Sequence, residues 1–354
     1  MSDKEPKILV IRFSSLGDLI LMVPFIQLLR AEFPAGLIDL ATRDRYAGLF
    51  RESGLLDNLY TLKTGSFSEL LRMRRTLAGR GYNTIIDAHN VIRSNILYRT
   101  IRAGRKLQLS KQQIRKFLLI KFNLNLFNDT IHQYDRYMEL AGQLGISGNS
   151  PPPPFELPPD AERKAENILE RFSRPGRGII SIAPGARWET KMWDEDKFIS
   201  AANQLWGLGF NLILTGGAAE RDLAERMTSS IEGEIINTAG DLNILETAAV
   251  LKYSDLLITN DSALLHLSEL TGTPVVALFG PTVREFGFYP RLGKSRVLEK
   301  NLECRPCSRN GARPCPHPEK SCLDSIEADD VVKSALSVLD REAPGIFENR
   351  RAVE

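Results

Sequence analysis

Short β-type runs alternate with helical stretches twice along the 354-residue chain, and this alternation limits the fold more than any other feature. Alternating strands and helices build βαβ units, so each series predicts a parallel sheet covered by helices. The first series has predicted strands at residues 7–11, 37–41, 58–62, 83–87 and 106–109. The second has them at residues 178–183, 210–215, 255–259 and 274–279, with helices at 161–172 and 328–339. The fold class is therefore α/β, with two doubly wound, Rossmann-like domains.

The alternation stops at Ser150, where the sequence reads SPPPPFELPPD. Prolines lack an amide donor and favour extended polyproline conformation, so this stretch is typical of a stiff linker. A chain of this length also exceeds the size at which a single core usually keeps growing. The predicted organisation is an N-terminal domain, a proline-rich linker, a C-terminal domain and a tail, at residues 1–150, 151–160, 161–340 and 341–354.

Net charge and hydropathy exclude several classes of protein. No apolar run approaches the roughly 18 residues that a membrane-spanning helix needs, and the first residues lack the basic start and long apolar stretch of a signal peptide. We therefore expect a cytoplasmic protein. The formal net charge is +2, so no overall field indicates nucleic acid as a partner.

The basic residues are unevenly distributed along the chain. Residues 88–128 contain no acid but nine cations, which are Arg93, Arg99, Arg102, Arg105, Lys106, Lys111, Arg115, Lys116 and Lys121. Such a stretch either faces an anionic partner or is only a solvated face. The cations between Lys111 and Lys121 are spread around a helical wheel, which argues against an amphipathic helix that inserts into a membrane.

Ligands of open parallel sheets bind beyond the carboxyl ends of the strands, so the residues after each strand are the candidates for a site. The first strand is followed by RFSSLGD, a turn of small residues with Gly17 and Asp18 at the start of a helix. The turn lets a ligand approach backbone amides, although an aspartate at a helix start is more commonly only a cap. The turn is not G-x-G-x-x-G, so it is a weak signal for a dinucleotide.

Two loops of the second series suit a phosphate group and a ribose. The loop APGARWETKMW carries Arg187 and Lys191, two cations that suit phosphate oxygens; the alternative is a surface loop that its tryptophans anchor to the core. The stretch LTGGAAER places Gly216 at a strand end and then Glu220, a carboxylate that can accept a hydrogen bond from a ribose hydroxyl. Glycine turns between a strand and a helix are routine, so this signal is weak by itself.

A third loop, TNDSALLH, follows a strand and opens a helix. The amides of Ser262 and Ala263, together with the serine hydroxyl, form a site for a diphosphate. Asp261 would repel phosphate, so we assign it to capping and orienting the turn. His266 either shares the helix face of Ser262 or is a buried core histidine.

With these loops identified, the chain resembles glycosyltransferase family 9, the ADP-heptose:lipopolysaccharide heptosyltransferases. The likeness covers nearly the whole chain and lies in ILVIRFSSLGDLILMVP, APGARWETKMW, GGAAER and TNDSALLHLSELTGTPVVALFGPT, in the family's order and spacing. It implies the GT-B architecture, two Rossmann-like domains facing across a cleft, with the acceptor on the N-terminal side and the nucleotide on the C-terminal side. It also implies an inverting transferase that moves a heptose from ADP-heptose to the inner core of lipopolysaccharide. The alternative is a transferase of the same fold that uses another nucleotide sugar for a different surface glycan.

The resemblance also assigns functional residues. It places the catalytic aspartate of an S-x-x-G-D motif at Asp18, the phosphate-binding lysine at Lys191, the ribose contact at Glu220 and a nucleobase contact at Leu242. Ala263 stands where the family usually has glycine, and it keeps the amide while adding a methyl group. Together with the loops described above, the predicted donor-binding residues are Gly17, Arg187, Lys191, Gly216, Glu220, Leu242, Asp261, Ser262, Ala263 and His266.

Sugar transfer with inversion needs a base for the acceptor hydroxyl and positive charge for the leaving diphosphate. Asp18 is the candidate base, while Lys191 and the helix start at Ser262 would supply the charge that a divalent metal supplies in other transferases. No D-x-D motif sits at a predicted strand end, so we predict metal-independent transfer without a cofactor. The rival from another class is a nucleotide-sugar binding protein without turnover; Asp18 argues against it, because binding needs no such carboxylate.

The acid-free stretch lies in the half that should receive the acceptor. If the acceptor is a lipid-linked core saccharide bearing phosphates, a basic wall there would bind it and hold the enzyme peripherally at an anionic membrane surface. The predicted acceptor-binding residues are Arg93, Arg102, Arg105 and Lys106.

The four cysteines are clustered in the spacing C-x2-C-x7-C-x6-C, at Cys304, Cys307, Cys315 and Cys322. Zinc binding is one interpretation of this spacing. The other, which we take as the default, is a set of reduced thiols that pack a proline-rich excursion without a metal, since the cytoplasm disfavours disulfides. Neither interpretation places these residues in catalysis.

Overall fold

A computed structural model describes residues 5–146, 154–317 and 320–342 of the chain. The chain divides into two compact units. The first unit consists of Met1–Gln112 and Ile131–Pro158, and the second of Gln113–Thr130 and Pro159–Glu354. Each unit has its own parallel sheet flanked by helices.

The sheet of the first unit has five parallel strands in the order β3-β2-β1-β4-β5. The strands are β1 (Lys7–Ile11), β2 (Leu37–Arg43), β3 (Asn58–Leu62), β4 (Thr84–Asp87) and β5 (Arg105–Gln108). The helices are α1 (Leu16–Glu32), α2 (Gly48–Arg51), α3 (Phe67–Ala78), α4 (Ile92–Thr100) and α6 (Gln133–Gln143). The order of the strands reverses between β1 and β4, and the space beyond the carboxyl ends of these two strands is where such sheets bind ligands.

Helix α1 forms the centre of the first unit. Every side chain from Leu19 to Leu29 is buried, so this helix has no solvated face over three turns. On the sheet, Leu9 and Ile11 of β1 belong to an apolar cluster with side chains of α3 and α4. The buried apolar residues that follow Asp18 therefore hold the first turn of α1 in a fixed position.

The sheet of the second unit has six parallel strands in the order β11-β10-β9-β6-β7-β8. The strands are β6 (Ile179–Ala183), β7 (Asn211–Leu214), β8 (Ile235–Asn237), β9 (Leu256–Asn260), β10 (Val275–Phe279) and β11 (Arg296–Glu299). The helices are α5 (Gln113–Phe122), α7 (Pro159–Leu169), α8 (Glu195–Gly207), α9 (Arg221–Ser230), α10 (Ile244–Lys252), α11 (Ala263–Leu270), α12 (Ser321–Asp324) and α13 (Ala328–Glu342). Here the strand order reverses between β6 and β9. Within the described residues, no helix is long and apolar enough to cross a bilayer.

All nine predicted strands are present, and their ends differ from the predicted ones by two residues at most. Two further strands, β8 and β11, were not predicted, and they are the edge strands of the second sheet. Both are short, and β11 has only partly buried or exposed side chains, so neither leaves a continuous apolar run in the sequence.

The observed units also differ from the predicted domains. Residues 113–130, which the predicted first domain 1–150 includes, belong to the second unit. Helix α7 begins at Pro159, inside the predicted linker 151–160, and residues 151–153 of that linker lie outside the described residues. Most of the predicted tail, residues 343–354, also lies outside them.

Candidate active site

The first unit gathers charged side chains where its strand order reverses. Arg12 follows β1, and its Nη2 atom lies 2.7 Å from Oδ1 of Asp18 in the first turn of α1. The other oxygen of Asp18 accepts hydrogen bonds from the backbone amide of Ser15, at 3.1 Å, and from the Ser15 hydroxyl, at 2.7 Å. Asp18 therefore caps its helix, as the simpler interpretation held, and is also held in a buried ion pair.

Arg12 connects the two loops that flank this reversal. Its guanidinium donates to the carbonyl of Ser14, at 2.9 Å from Nε, and to the carbonyl of Ala88 in the loop after β4. With Asp18 as a third partner, every side of this buried guanidinium has an acceptor. Sequence reasoning did not single out Arg12, because nothing in the sequence shows that the loop after β4 lies beside the loop after β1.

His89 is a second residue of this site that the sequence analysis missed. The backbone amide of Phe13 donates to its Nδ1 at 3.4 Å, so the proton belongs on Nε2, which lies 3.4 Å from the hydroxyl of Ser14. Burial, together with the positive charges of Arg12, Lys111 and Arg43, lowers the pKa of His89 to about 3. The imidazole is therefore neutral at physiological pH.

Asp18 is ionised at neutral pH. Burial by itself raises the pKa of this carboxyl, but the Arg12 guanidinium and the hydrogen bonds from Ser15 outweigh burial and hold the pKa below its usual range. The site thus combines a carboxylate that needs no activation with a neutral imidazole.

The second unit places the predicted phosphate-binding lysine at its own reversal point. Nζ of Lys191 lies 2.5 Å from Oδ2 of Asp261, and both side chains are largely buried. Asp261 also accepts a hydrogen bond from the hydroxyl of Thr282 at 2.6 Å. The next residue, Ser262, is the N-cap of α11, and its hydroxyl accepts from the amide of Leu264 at 3.3 Å. Our assignment of Asp261 to capping was therefore wrong: Ser262 caps the helix, and Asp261 is the partner of Lys191.

Asn260, at the end of β9, fixes the loop that carries Lys191. Its Nδ2 donates to the carbonyl of Pro184 at 2.7 Å, and its Oδ1 accepts from the amide of Trp193 at 3.0 Å. Trp193 is buried, and its indole donates to the carbonyl of Ile326 at 3.0 Å. A tryptophan thus does anchor this loop, and the anchoring places a cation beside the start of α11.

Glu220 fills the space between the loops that follow β6 and β7. Its Oε2 accepts from the amide of Gly217 at 2.8 Å. A Cβ atom at Gly185 would lie 2.2 Å from Cγ of Glu220, and one at Gly216 would lie 3.0 Å from its Cβ. A side chain at Gly185 would therefore force Glu220 to move, and one at Gly216 would fit only tightly against it.

The other predicted donor-binding residues are less closely grouped. The Arg187 guanidinium lies 5.1 Å from the centre of the Trp188 ring, and Leu242 is half-buried in the loop after β8. His266 is buried, with its ring centre 6.0 Å from that of Phe288, as expected for a core histidine. Gly17 lies in the first turn of α1 next to Asp18.

Residues that lie between the cysteines in the sequence support the loop that carries Lys191. Gly311 has a φ angle of +86°, and a Cβ atom there would lie 2.9 Å from Cγ of Lys191. The Thr190 hydroxyl donates to the Gly311 carbonyl at 2.5 Å, and Lys320 donates to the Met192 carbonyl at 3.1 Å. These contacts give the segment between the cysteines a structural role beside the predicted phosphate site.

Two of the four thiols, those of Cys307 and Cys322, have a raised pKa and are therefore not activated. Burial raises the pKa of Cys322 to about 11, and burial together with Cys315 and Cys304 raises that of Cys307. None of the four cysteines forms a disulfide, and the described part of the chain contains no group of three or more His, Cys, Asp or Glu residues that could hold a metal ion.

The structure separates the predicted acceptor-binding residues. Arg93 is in the first turn of α4, so it lies beyond the carboxyl ends of the strands, as Asp18 does. A Cβ atom at Gly65 would be within 4.0 Å of the guanidinium groups of both Arg93 and Arg43. Arg105 begins β5 and pairs with Thr84, the first residue of β4, so it lies at the amino ends of the strands. Arg102 precedes it, and Lys106 donates to the carbonyl of Tyr98 at 2.6 Å. Of the four predicted acceptor-binding residues, Arg93 alone lies at the carboxyl end of the sheet, where Asp18 is.

The sequence profile of glycosyltransferase family 9 (heptosyltransferase) matches residues 70–315. The chain belongs to this family. It is 24% identical over 356 residues to lipopolysaccharide heptosyltransferase 3 of Escherichia coli (strain K12), a match that covers 94% of the chain and 98% of the relative.

Solved structures confirm the fold. A family 9 glycosyltransferase from Veillonella parvula DSM 2008 matches with a TM-score of 0.78 at 23% identity, covering 96% of this chain and 99% of that one. E. coli heptosyltransferase WaaC with ADP matches with a TM-score of 0.66 at 18% identity, covering 94% and 99%. The expected GT-B fold is thus confirmed, and membership of the family makes the chain a glycosyltransferase.

His89 should make the first unit sensitive to mild acid. A histidine whose pKa falls on folding binds fewer protons in the folded than in the unfolded state, so stability is lost as the pH drops below its ordinary value of 6.5. Between pH 7.5 and pH 5 the loss should be about 2 kcal/mol. His89→Asn should remove this difference, measured by urea unfolding at the two pH values. An unchanged pH dependence in the variant would show that His89 is not the group responsible.

Gly311→Ala should displace Lys191 and weaken the binding of a nucleoside diphosphate. The substitution adds a methyl group against the lysine stem at a positive φ, where a non-glycine residue costs roughly 1–2 kcal/mol. Gly272→Ala is a matched control, because Gly272 also has a φ of +87° but no neighbour within 4 Å. Calorimetry with ADP should show weaker binding for Gly311→Ala alone. Equal affinities in the two variants would contradict the positioning role of Gly311.

Proposed function

We propose that this glycosyltransferase is an inverting heptosyltransferase that moves a heptose from ADP-heptose to the inner core of lipopolysaccharide. The observation that carries the proposal is the position of Lys191, which is held by Asp261 beside the first turn of α11. A lysine and the amides of a helix start together make a site for a diphosphate. The relatives in the family that carry heptosyltransferase names support heptose as the transferred sugar.

The donor would be held by the loops at the carboxyl edge of the second sheet. Lys191 and the amides of Ser262 and Ala263 would bind the diphosphate, Glu220 the ribose and Leu242 the nucleobase. As the bond to the sugar breaks, negative charge develops on the leaving diphosphate, and the cation and the helix start stabilise it. This set of positive groups supports transfer that needs neither a metal ion nor another cofactor.

Asp18 would act as the general base in the first unit. Its carboxylate is ionised beside Arg12, so it can accept a proton at neutral pH without prior deprotonation. A base with a low pKa suffices, because the acceptor hydroxyl becomes strongly acidic only while its oxygen bonds to the sugar carbon. A single displacement with one base inverts the configuration at that carbon. His89 and Arg12 are positioning residues, since they hold the loop from Ser14 to Asp18 in place.

The proposed acceptor is a lipid-linked saccharide that carries phosphate groups. Arg93, with Arg43 near it, lies at the same sheet edge as Asp18, and guanidinium groups suit phosphate oxygens. Such an acceptor would place the enzyme peripherally at the inner, cytoplasmic face of an anionic membrane, and nucleic acid is not a proposed partner. Arg102, Arg105 and Lys106 are not part of this proposed site, because they lie toward the other end of β5.

One observation favours a second candidate, a transferase of the same fold that uses another nucleotide sugar for a different glycan. Ala263, at the first position of α11, adds a methyl group where the family usually has glycine. The methyl group lies beside the amides that would bind the diphosphate.

Thermal unfolding in the presence of ADP-, UDP- and GDP-linked sugars distinguishes the two candidates. A ligand at about 100 times its Kd stabilises the folded protein by about 2.7 kcal/mol, which is easily resolved. ADP-heptose should raise the Tm, while UDP- and GDP-sugars at the same concentration should not. Selective stabilisation by another nucleotide would favour the second candidate and contradict the first.

Asp18→Asn should lower turnover by on the order of 10²-fold or more and change the Kd for ADP-heptose by only a few-fold, because an amide cannot accept the proton. Steady-state kinetics and calorimetry measure the two effects separately. The control is Asp57→Asn, which removes the partner of Arg30 in another ion pair of the same unit, where the two groups are 2.6 Å apart. Turnover by Asp18→Asn equal to that of the control would exclude Asp18 as the base.

A further inference from the structure

We propose that α5 and the residues that follow it insert an apolar surface into an anionic phospholipid bilayer. This surface, the α5 apolar surface, consists of Ile114, Phe117, Phe122, Leu124 and Leu126. The inference deepens the proposed function and rests on it in one respect, since a lipid-linked acceptor explains why the enzyme would need a membrane.

The α5 apolar surface is unusual for its exposure. Its side chains retain between 43% and 76% of their accessible area, with Ile114 at 76% and Phe122 at 63%. Most of the strongly exposed large hydrophobic side chains in the described residues lie in this one short segment. A concentration of exposed apolar groups in one place indicates an interaction site, whereas single exposed leucines do not.

An ordinary surface helix buries apolar side chains and exposes charged ones, but α5 buries a lysine and exposes several apolar side chains. Its inward face carries Lys116 and Leu119, while Ile114, Phe117 and Phe122 point outward. Nζ of Lys116 donates to the carbonyl of Phe286 at 3.2 Å and lies 5.3 Å and 5.6 Å from the ring centres of Phe286 and Phe288. A lysine held in this way fixes the rotation of the helix, so the apolar residues cannot turn inward.

Two further contacts hold the surface in shape. The rings of Phe117 and Phe122 meet edge to face, with centres 6.1 Å apart. Asn123 has a φ angle of +52°, which ends the helix, and Nδ2 of Asn125 donates to Oε1 of Glu285 at 3.0 Å. Leu124 and Leu126 therefore extend the apolar surface beyond the helix on a chain that is itself fastened.

The burial of Lys116 weakens the argument from the helical wheel. Cations spread around α5 argue against membrane insertion only if all of them are exposed. Lys116 is 8% exposed, so it does not interrupt the outward face. The remaining cations of the helix, Arg115 and Lys121, can reach lipid headgroups while the apolar side chains enter the acyl region.

Charge complementarity identifies an anionic bilayer as the occupant. Residues 88–128 contain no acid, and Glu285, which contacts this segment from elsewhere in the chain, accepts a hydrogen bond from Asn125. A second copy of this chain would bring like charges together, and a saccharide offers nothing apolar to cover two phenylalanines. An anionic bilayer satisfies both the apolar groups and the cations.

Vesicle flotation tests the proposal with the full chain and without donor or acceptor. The probe is a phosphatidylcholine vesicle with or without 30% phosphatidylglycerol, on the order of the anionic content that attracts basic segments. The wild type should float with the anionic vesicles. Phe117→Ser combined with Phe122→Ser should weaken this binding by about tenfold or more, whereas Leu208→Ser, which removes an exposed leucine elsewhere in the second unit, should not.

A second readout reports insertion directly. Phe117→Trp should show a blue-shifted emission on addition of anionic vesicles, and part of the binding should persist in high salt, because burial of apolar groups is not screened. The double serine variant should retain wild-type turnover on a soluble, delipidated acceptor. The proposal would be overturned if the wild type did not float, or if the double variant floated equally well. It would also be overturned if the wild type were a dimer that the double substitution made monomeric. Flotation without any heptose transfer would contradict the proposed function alone.

Discussion

The reversal of strand order inside each sheet is the constraint on which the candidate site of each unit depends. In a parallel sheet, the connections after two neighbouring strands leave in opposite directions at such a reversal, which opens a gap beyond their carboxyl ends. The first unit places Arg12 and His89 on the two sides of its gap, and the second places Pro184 and Asn260 on the two sides of its own. In both units a side chain from one loop bonds the backbone of the other, so each gap has fixed walls.

The two buried ion pairs use the same chemistry for different purposes. Burying a lone charge is costly, and a buried pair is stable only when its remaining hydrogen-bonding groups also have partners. Arg12 meets this condition through the carbonyls of Ser14 and Ala88, and Asp18 meets it through Ser15. A carboxylate fixed in this way stays ionised and aimed. In the second unit, Asp261 holds Lys191 beside the start of α11, so the cation would need no rearrangement to meet the anion proposed to bind there.

Sequence patterns predicted the elements well and the contacts between loops poorly. The strands of both sheets except β8 and β11 followed from apolar runs, and the motifs around Asp18 and Lys191 pointed to positions that lie at the two reversal points. Arg12 and His89 were missed because their importance depends on β1 and β4 being neighbours, although these strands are separated in sequence by two others. Arg102 and Arg105 were included because charge alone was considered, without asking which end of β5 they would occupy. The strand order would have brought Arg12 and His89 together, whereas the predicted strand 106–109 by itself places Arg102 and Arg105 before its start, away from its carboxyl end.

Helix α5 shows how a tertiary contact changes what a helical wheel implies. The wheel treats a lysine as a solvent-facing residue, but a long aliphatic stem and an ammonium group can be buried when a carbonyl and aromatic faces receive the charge. Phe286 offers both its carbonyl and its ring to Lys116, and Phe288 offers a second ring. Once the cation is accommodated there, the geometry of a helix leaves no choice for the other side chains, because residues on the opposite face must point outward. The burial of Lys116 therefore determines which side chains of α5 face outward, although Lys116 does not belong to that outward surface.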